Sequence, residues 1–386
     1  MKPTLKKTSD FIASYKLSSA LFLLLLLLTY LGTMQQVEHG LYQSQQKYFE
    51  SMFLVHWAFD AVPIPLPGGY LAMILLFINL LWGVVVRFRF RWSQVGILVA
   101  HTGILVLLVG SLVSYWYSVS GHMALYENQS SSEVESSYEW EIGVGEAAAA
   151  GPVTEYVLHQ KDFEKLSGGR SRTFTFSGLP FDLKLEGYAP NAAPVGGGAA
   201  NPHAAPGKQF ASLPLDREQE QNLALIYASV LDKQSGAGQA TPVWAGSASP
   251  ATVEFGGKRW NIALRKRRWP LPFSIRLDKF TRVLHPRTNT PREFSSLVTK
   301  TEDGSSQQIK ITMNEPLRHL GYTFYQSSWG SSGSGPNARL YSVFSVVKNP
   351  ADQAPLYSCV ITTIGLIVHF VQKLVSYLRK EKAKRS

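Results

Sequence analysis

Four apolar segments, each long enough to cross a bilayer as a helix, constrain the fold of this chain more than any other feature of its sequence. They are Leu17–Leu31, Tyr70–Val86, Val95–Trp116 and Leu356–Tyr377. A helix of roughly 20 apolar residues spans the hydrocarbon core of a membrane. The residues after the first segment, beginning at Gly32, make a poor signal-peptide cleavage site, so we expect that segment to remain as a transmembrane helix. The pattern predicts a membrane protein with three spans before a long polar stretch and one after it.

The net charge of +11 lies almost wholly in the flanks of these spans. Basic residues cluster before the first span, between the second and third, and after the fourth. Four spans place all three clusters on one side of the membrane, which the positive-inside bias makes the cytoplasm. The charge is thereby explained by orientation, and nucleic-acid binding is not needed to explain it. We expect a multi-pass membrane protein whose large domain lies on the opposite side, which is the periplasm if the cell has two membranes and otherwise the outer face of the plasma membrane.

The predicted organisation has nine segments. They are a cytoplasmic N-terminus 1–16, a first span 17–33, an external loop 34–69, a second span 70–86, a cytoplasmic loop 87–94, a third span 95–116, an extracytoplasmic domain 117–355, a fourth span 356–377 and a basic cytoplasmic tail 378–386. In the external loop, apolar residues from Leu41 to Phe59 recur at helical spacing, which predicts an amphipathic helix on the membrane surface. Pro63–Gly69 is expected to form a stiff turn into the second span.

The external domain is predicted to be mainly β, which gives the whole chain an α + β fold class. Apolar and polar residues alternate in Thr173–Tyr188 and in Ser274–Phe280, whereas Asp216–Asp232 has helical spacing. The segments Pro180–Tyr188 and Pro272–Phe280 resemble each other, which suggests two related β subdomains. The basic run Arg265–Arg268 has two interpretations: a surface that meets anionic groups, or a solvated strand edge.

Two histidines lie inside apolar spans, and an ionisable side chain at membrane depth indicates a functional role. His101 lies in the third span and His369 in the fourth, each about ten residues from a flanking arginine. An apolar setting disfavours imidazolium, which leaves a nitrogen lone pair that can ligate haem iron. Each histidine could equally donate a hydrogen bond to a neighbouring helix. The single cysteine, Cys359, excludes an intramolecular disulfide.

Together and in order, several motifs resemble the ResB (also called CcsB) family of the System II pathway of cytochrome c biogenesis. The resemblance covers nearly the whole chain, including its pattern of three spans, an external domain and a fourth span. The motifs are Gly32–Ser51, Leu66–Tyr70, Ala100–Ser114, Gly121–Glu127, Pro272–Phe280 and Asn314–Trp329.

The resemblance implies a subunit that acts with a ResC/CcsA-type partner to export haem b and attach it to apocytochrome c, with a thioredoxin-like thiol reductase as a further partner. It implies that His101 is an axial ligand of a transmembrane haem whose second ligand lies on the partner. His369 has no role implied by the family and is the second candidate, either packing or pairing with His101. The tryptophan-rich haem-binding loop is expected in the partner, so this chain should not catalyse alone. The alternatives are a scaffold that binds no haem, or an unrelated envelope-assembly protein.

Overall fold

The computed structural model describes residues 3–59, 61–87, 91–147, 154–195, 210–236, 238–288, 291–332 and 339–385. These divide into two compact units, one formed by Met1–Val119 with Lys348–Ser386 and the other by Ser120–Val347. Part of the predicted cytoplasmic loop, residues 88–90, lies outside the described residues.

The first unit confirms the four predicted spans, each of which is a long apolar helix. The helices of the chain are α1 (Pro3–Ile12), α2 (Tyr15–His39), α3 (Leu41–Tyr48), α4 (Gly69–Arg87), α5 (Val95–Tyr117), α6 (Gln160–Phe163) and α7 (Ala354–Arg385). Ser14 begins α2 as its N-cap, because its hydroxyl accepts a hydrogen bond from the backbone N–H of Leu17 at 3.2 Å. The predicted basic tail continues α7 as helix through Arg385.

The external loop differs from its prediction. The helix α3 ends at Tyr48, and the chain then forms a hairpin of β1 (Phe53–Ala58) and β2 (Val62–Pro67). The predicted amphipathic helix was therefore too long, and the predicted stiff turn is wrong because a strand occupies it. Prolines fit this strand because they alternate at 63, 65 and 67, so their missing N–H groups all face one edge, away from β1. Phe59, which completed the helical pattern, lies in the turn with a φ of 53°.

The second unit is built almost wholly of strands. They are β3 (Val119–Tyr126), β4 (Ser130–Glu146), β5 (Tyr156–His159), β6 (Ser171–Thr175), β7 (Phe181–Ala189), β8 (Ala192–Pro194), β9 (Phe210–Ser212), β10 (Leu225–Asp232), β11 (Ala240–Trp244), β12 (Ala251–Phe255), β13 (Lys258–Leu284), β14 (Pro291–Glu302), β15 (Ser305–Thr312), β16 (Leu317–His319), β17 (Tyr322–Ser332) and β18 (Arg339–Lys348). A ten-stranded sheet has the order β15-β14-β13-β4-β3-β18-β17-β16, with β12 also paired to β13 and β5 to β4. A four-stranded sheet has the order β11-β10-β7-β6, and β8 pairs with β9. The mainly-β prediction is confirmed.

The helix predicted over Asp216–Asp232 is wrong. Only Gln219–Gln221 form a 3-10 turn, and Leu225–Asp232 is the strand β10, paired between β7 and β11. Five of the first six residues of β10 are buried, so both faces of the strand carry apolar side chains. A strand buried on both faces loses the alternation that identifies strands in a sequence.

The unit contains two separate hydrophobic cores. Strand β13 serves both, because its first half contributes Trp260, Ile262 and Leu264 to one core while its second half contributes Phe273 and Ile275 to the other. The first core also takes Phe181, Leu183 and Leu185 from β7. The two segments that resemble each other in sequence therefore bury equivalent residues in different cores.

The resemblance of these two segments extends to the backbone. Strand β7 has a register shift where it pairs with β10 at Gly187, and β13 has one where it pairs with β14 at Asp278. A bulge inserts one extra residue and so returns the next aromatic side chain to the core. Tyr188 and Phe280 are both buried for this reason.

The basic run Arg265–Arg268 faces acidic residues, most of them on the antiparallel neighbour β4 and one, Glu155, just before β5. The ion pairs are Arg265 with Glu141 and Glu155, Arg267 with Glu139, and Arg268 with Glu133 and Glu135. Lys266 instead donates a hydrogen bond to the Ser137 carbonyl and lies over the ring of Trp140. Residues of the protein itself therefore neutralise or bond the four basic side chains. This favours the interpretation of the run as a strand edge over that of an anion-binding surface.

Candidate functional site

Helix α5 presents two chemically different faces within the first unit. One face is a row of small residues, Gly96, Ala100, Gly103 and Gly110, all of them buried. The other face carries His101. His101 follows Gly96 by five positions, which turns its side chain by about 140° from the direction of Gly96. One face of α5 is therefore suited to close helix packing, and the other carries the candidate site residue His101.

The small-residue face packs directly on α7. A Cβ built on Gly96 would lie 2.4 Å from the backbone nitrogen of His369, and one built on Gly103 would lie 2.8 Å from that of Thr362. On the other helix, a Cβ on Gly365 would lie 2.3 Å from the backbone nitrogen of Ala100. Small residues let helix backbones approach this closely in a membrane, where lipid offers no hydrophobic driving force between helices.

His369 lies in this α5–α7 seam, at the level of Gly96. Its Nδ1 is buried and has no hydrogen-bond partner among the described residues, and its ring lies 5.7 Å from that of Phe370. The neighbouring Gln372 donates a hydrogen bond to the Trp92 carbonyl at 2.6 Å. The structure thus places His369 against a glycine of the third span, away from the face that carries His101.

His101 is half-buried, and its ring is oriented by its own helix. Its Nδ1 lies 2.7 Å from the carbonyl oxygen of Ile97, one turn earlier. A carbonyl oxygen only accepts, so Nδ1 must carry the hydrogen. In a neutral ring this leaves Nε2 unprotonated, with its lone pair available. Nε2 has no hydrogen-bond partner among the described residues. Such a nitrogen can ligate a metal ion or accept a hydrogen bond.

A cavity of about 540 Å³ lies beside His101, between α2, α4 and α5. Of the described residues, none from α7 lines it, so the cavity brings His101 together with the first two spans and not with His369. Its apolar lining residues include Phe22, Leu25, Met73, Leu76, Ile104 and Leu108. The volume lies within the range of small-molecule and cofactor sites, which are mostly apolar with a few placed polar groups.

Sequence reasoning missed three polar residues of this cavity, Ser18, Asn79 and Gln94. Asn79 is only 7% exposed and joins helices: its amide donates to the carbonyls of Ile12 and Ser14, and its Oδ1 accepts from the Ser18 hydroxyl at 2.7 Å. An asparagine inside an apolar span was the available signal for this contact. Gln94 precedes His101 by seven residues, a spacing that places both on one helical face.

A second polar network lies at the C-terminal end of α2, within the motif Gly32–Ser51. The fully buried Tyr48 connects two histidines: its hydroxyl lies 2.7 Å from Nδ1 of His56 and donates to Gln35 at 3.1 Å, and Gln35 contacts His39 at 2.7 Å. Burial raises the pKa of the Tyr48 phenol above its usual value. The network fastens α3 and the β1–β2 hairpin to α2.

Comparison with known proteins gives two matches. Residues 72–167 and 223–341, more than half of the chain, match the ResB-like family. A stretch of 68 residues is 34% identical to the cytochrome c biogenesis protein CcsB of Nostoc sp. and covers 17% of this chain. That stretch spans only 14% of the length of the Nostoc protein. The family match covers most of the second span, the third span with His101, and part of each core of the second unit, while strand β7 of the first core lies outside it. The chain belongs to the ResB-like family.

Proposed function

We propose that this chain is a membrane subunit of a cytochrome c synthase, in which His101 supplies one axial ligand to haem b carried within the membrane. The similarity to the cytochrome c biogenesis protein CcsB supports a role in cytochrome c biogenesis. The geometry of His101 supports the ligand role, because the Nδ1 bond to the Ile97 carbonyl leaves Nε2 free beside the cavity. This pre-oriented imidazole is the single observation that carries the proposal.

The residues around His101 suit a porphyrin in two ways. The hydrogen bond to Ile97 fixes both the tautomer and the orientation of the imidazole ring. Apolar side chains of α2 and α4 line the same cavity as His101, and they suit the apolar body of a porphyrin. Haem iron, when bound, supplies a metal centre that accepts the Nε2 lone pair.

The rest of the proposed complex follows from what this chain contributes. His101 offers one ligand, so the second comes from a ResC/CcsA-type membrane subunit that covers the same cavity. That partner would also hold the haem that is attached to apocytochrome c outside the membrane, and a thioredoxin-like thiol reductase would keep the apocytochrome thiols reduced. The three basic flanks orient the α4–α5 connection and both chain ends toward the cytoplasm of the bacterial inner membrane, and the second unit toward the periplasm or outside.

The test is the absorption spectrum of the complex purified with its partner subunit. We expect His101→Ala to lose most of the Soret band and added imidazole to restore it by filling the vacated axial position. His369→Ala is the matched control, since it removes a membrane histidine that does not line the cavity. Full haem content in His101→Ala would refute the ligand assignment. Equal loss in both variants would instead support a pair of histidines within this chain.

A further inference from the structure

We propose that the β1–β2 hairpin lies at the boundary between membrane and water and that one of its faces contacts lipid. Directly paired residues of an antiparallel sheet point to the same side, so the pairing of the strands defines each face. One face is apolar throughout and is called the proline face here. It consists of Phe53, Val55 and Trp57 of β1 with their partners Pro67, Pro65 and Pro63 of β2.

The opposite face of the hairpin packs on the membrane helices. Leu54 is only 7% exposed and shares a small core with Leu28 of α2. Nδ1 of His56, on the same side as Leu54, lies 2.7 Å from the Tyr48 hydroxyl. By contrast, the three residues that β1 contributes to the proline face are between 45% and 73% exposed. The described residues thus cover one face of the hairpin and leave a contiguous apolar face open, which is typical of an interaction surface.

The base of the hairpin lies level with the ends of two spans. The N–H of Gly68 donates to the Met52 carbonyl at 2.9 Å, which closes the base, and α4 begins at the next residue. In the first turn of α4, Tyr70 contacts Tyr115 near the C-terminal end of α5, with 4.9 Å between ring centroids. Tyrosine and tryptophan concentrate at membrane–water boundaries. The hairpin therefore starts at the boundary on the side of the membrane opposite the α4–α5 connection.

The lipid-facing surface of the spans adjoins the hairpin. Tyr30 and Met34 of α2 follow Leu28 within two turns and are exposed, as is Ile74 in the second turn of α4. Apolar side chains that are exposed on spanning helices face lipid. The sequence from Met52 to Gly68 has no lysine, arginine or glutamate, and its one charged residue is Asp60. An uncharged face rich in aromatic residues at this place extends the lipid contact of α2 and α4.

The backbone of the hairpin suits the boundary better than the hydrocarbon interior. An antiparallel ladder can run through three prolines only if they lie in the pairs without hydrogen bonds, so β2 presents no N–H group at its outer edge. At the outer edge of β1, the N–H groups of Phe53, Val55 and Trp57 point away from β2, and no other described strand pairs with them. Unpaired backbone groups are unfavourable in hydrocarbon, whereas water and headgroups can bond them. Only the side chains of the proline face therefore reach the acyl chains.

The experiment measures the depth of the proline face in the full chain, reconstituted in lipid nanodiscs. Cys359→Ala removes the single native thiol, and a fluorescent label is attached through Val55→Cys. We expect lipids with a nitroxide near the headgroup to quench this label at least about twice as strongly as lipids with a nitroxide at the chain end, because the apolar face of an interfacial element lies about 5–10 Å into the headgroup and acyl boundary. The control is Leu320→Cys, a similarly exposed apolar residue of the second unit, whose label should be quenched by iodide in water and by neither lipid.

A second measurement needs no label. In brominated lipid, wild type should lose more of its tryptophan fluorescence than Trp57→Phe, because Trp57 lies on the proline face while the other tryptophans are the same in both proteins. Equal losses in the two proteins would contradict lipid contact.

The outcomes separate lipid from the other possible occupants of this face. Iodide quenching at residue 55 equal to that at residue 320, without quenching by either lipid, overturns the proposal. Stronger quenching from the chain end than from the headgroup region overturns the placement at the boundary. Repeating the titration on the complex with the partner membrane subunit tests for cover by protein: quenching that persists supports lipid contact, and quenching that disappears overturns it. None of these results depends on haem ligation by His101.

Discussion

Replacing Gly365 with alanine should force α5 and α7 apart. The added Cβ would lie 2.3 Å from the backbone nitrogen of Ala100 and 2.8 Å from the carbonyl oxygen of Gly96. Neither atom belongs to a flexible side chain, so the helices themselves must move. Ordinary contact begins near 3.4 Å, so the local separation grows by about 1 Å, and the close contacts of the seam are lost.

The magnitude follows from two opposing terms. Overpacking of this kind costs about 1–3 kcal/mol. Alanine recovers up to about 1 kcal/mol through its better helix propensity. We therefore expect Gly365→Ala to lower the free energy of unfolding by about 1–2 kcal/mol, and Gly96→Ala to do the same, since its Cβ would meet the backbone of His369 at 2.4 Å.

The double variant makes the sharper test. Gly96 and Gly365 face each other, so a separation forced by one methyl group makes room for the other. The double variant should lose less than the sum of the single losses, by about 0.5 kcal/mol or more, as expected for residues in contact. Unfolding of the full chain in mixed detergent micelles by increasing dodecyl sulfate, followed by circular dichroism, measures all three losses.

Gly83→Ala serves as the control, because a Cβ there meets nothing within 4 Å. Its only expected effect is the gain of up to about 1 kcal/mol from helix propensity, with no loss of stability. Strict additivity of the two seam variants, or an equal loss in the control, would refute the argument from direct backbone contact.

Two further predictions concern groups outside the four spanning helices. Burial lowers the pKa of Lys266 to about 8 from 10.5, so between these values the unfolded chain holds the extra proton and stability rises with pH. Denaturant series between pH 7 and 10.5 should show this rise in wild type and a smaller one in Lys266→Met; equal slopes would contradict it. Tyr48→Phe removes the hydroxyl between His56 and Gln35 and should cost about 1–3 kcal/mol. Hydrogen exchange at residues 53–58 should then accelerate, whereas unaltered exchange would show that the hydroxyl does not hold the hairpin.

Sequence patterns predicted the elements whose side chains are either apolar on all sides or apolar on one face only. The four spans are apolar on every side, and the strands containing Phe181 and Phe273 alternate because one face is buried. Prediction was wrong for the elements whose apolar residues did not follow the spacing typical of their secondary structure. Strand β10 is apolar on both faces, so its sequence lacks the alternation of a strand. The residues up to Phe59 have helical spacing by coincidence, and they form a hairpin because β1 pairs with the proline-containing strand β2.

The candidate site was predicted only in part, because some of its residues are recognisable in the sequence and others only by their neighbours in the fold. His101 was identified because a histidine in an apolar span is conspicuous, and its assignment as a ligand remains a prediction. The bond to Ile97 follows from helical spacing and could have been anticipated. The division of α5 into a face that packs on α7 and a face that lines the cavity could not have been anticipated, because it depends on which helix approaches each side of α5. Gln94 went unnoticed for this reason, since its significance comes from the cavity it lines.

The seam between α5 and α7 joins parts of the chain that are made at very different times. At about 5–20 residues per second, the roughly 240 residues between the two helices take on the order of 10–50 seconds to synthesise. During that interval the glycine face of α5 lacks the helix that covers it in the folded chain. Insertion of α7 then brings Ala354 onto Gly110 and Asn349 onto Ser114, where the two side chains bond at 3.0 Å. The packing of α5 against α7 is therefore completed only after the whole second unit has been synthesised.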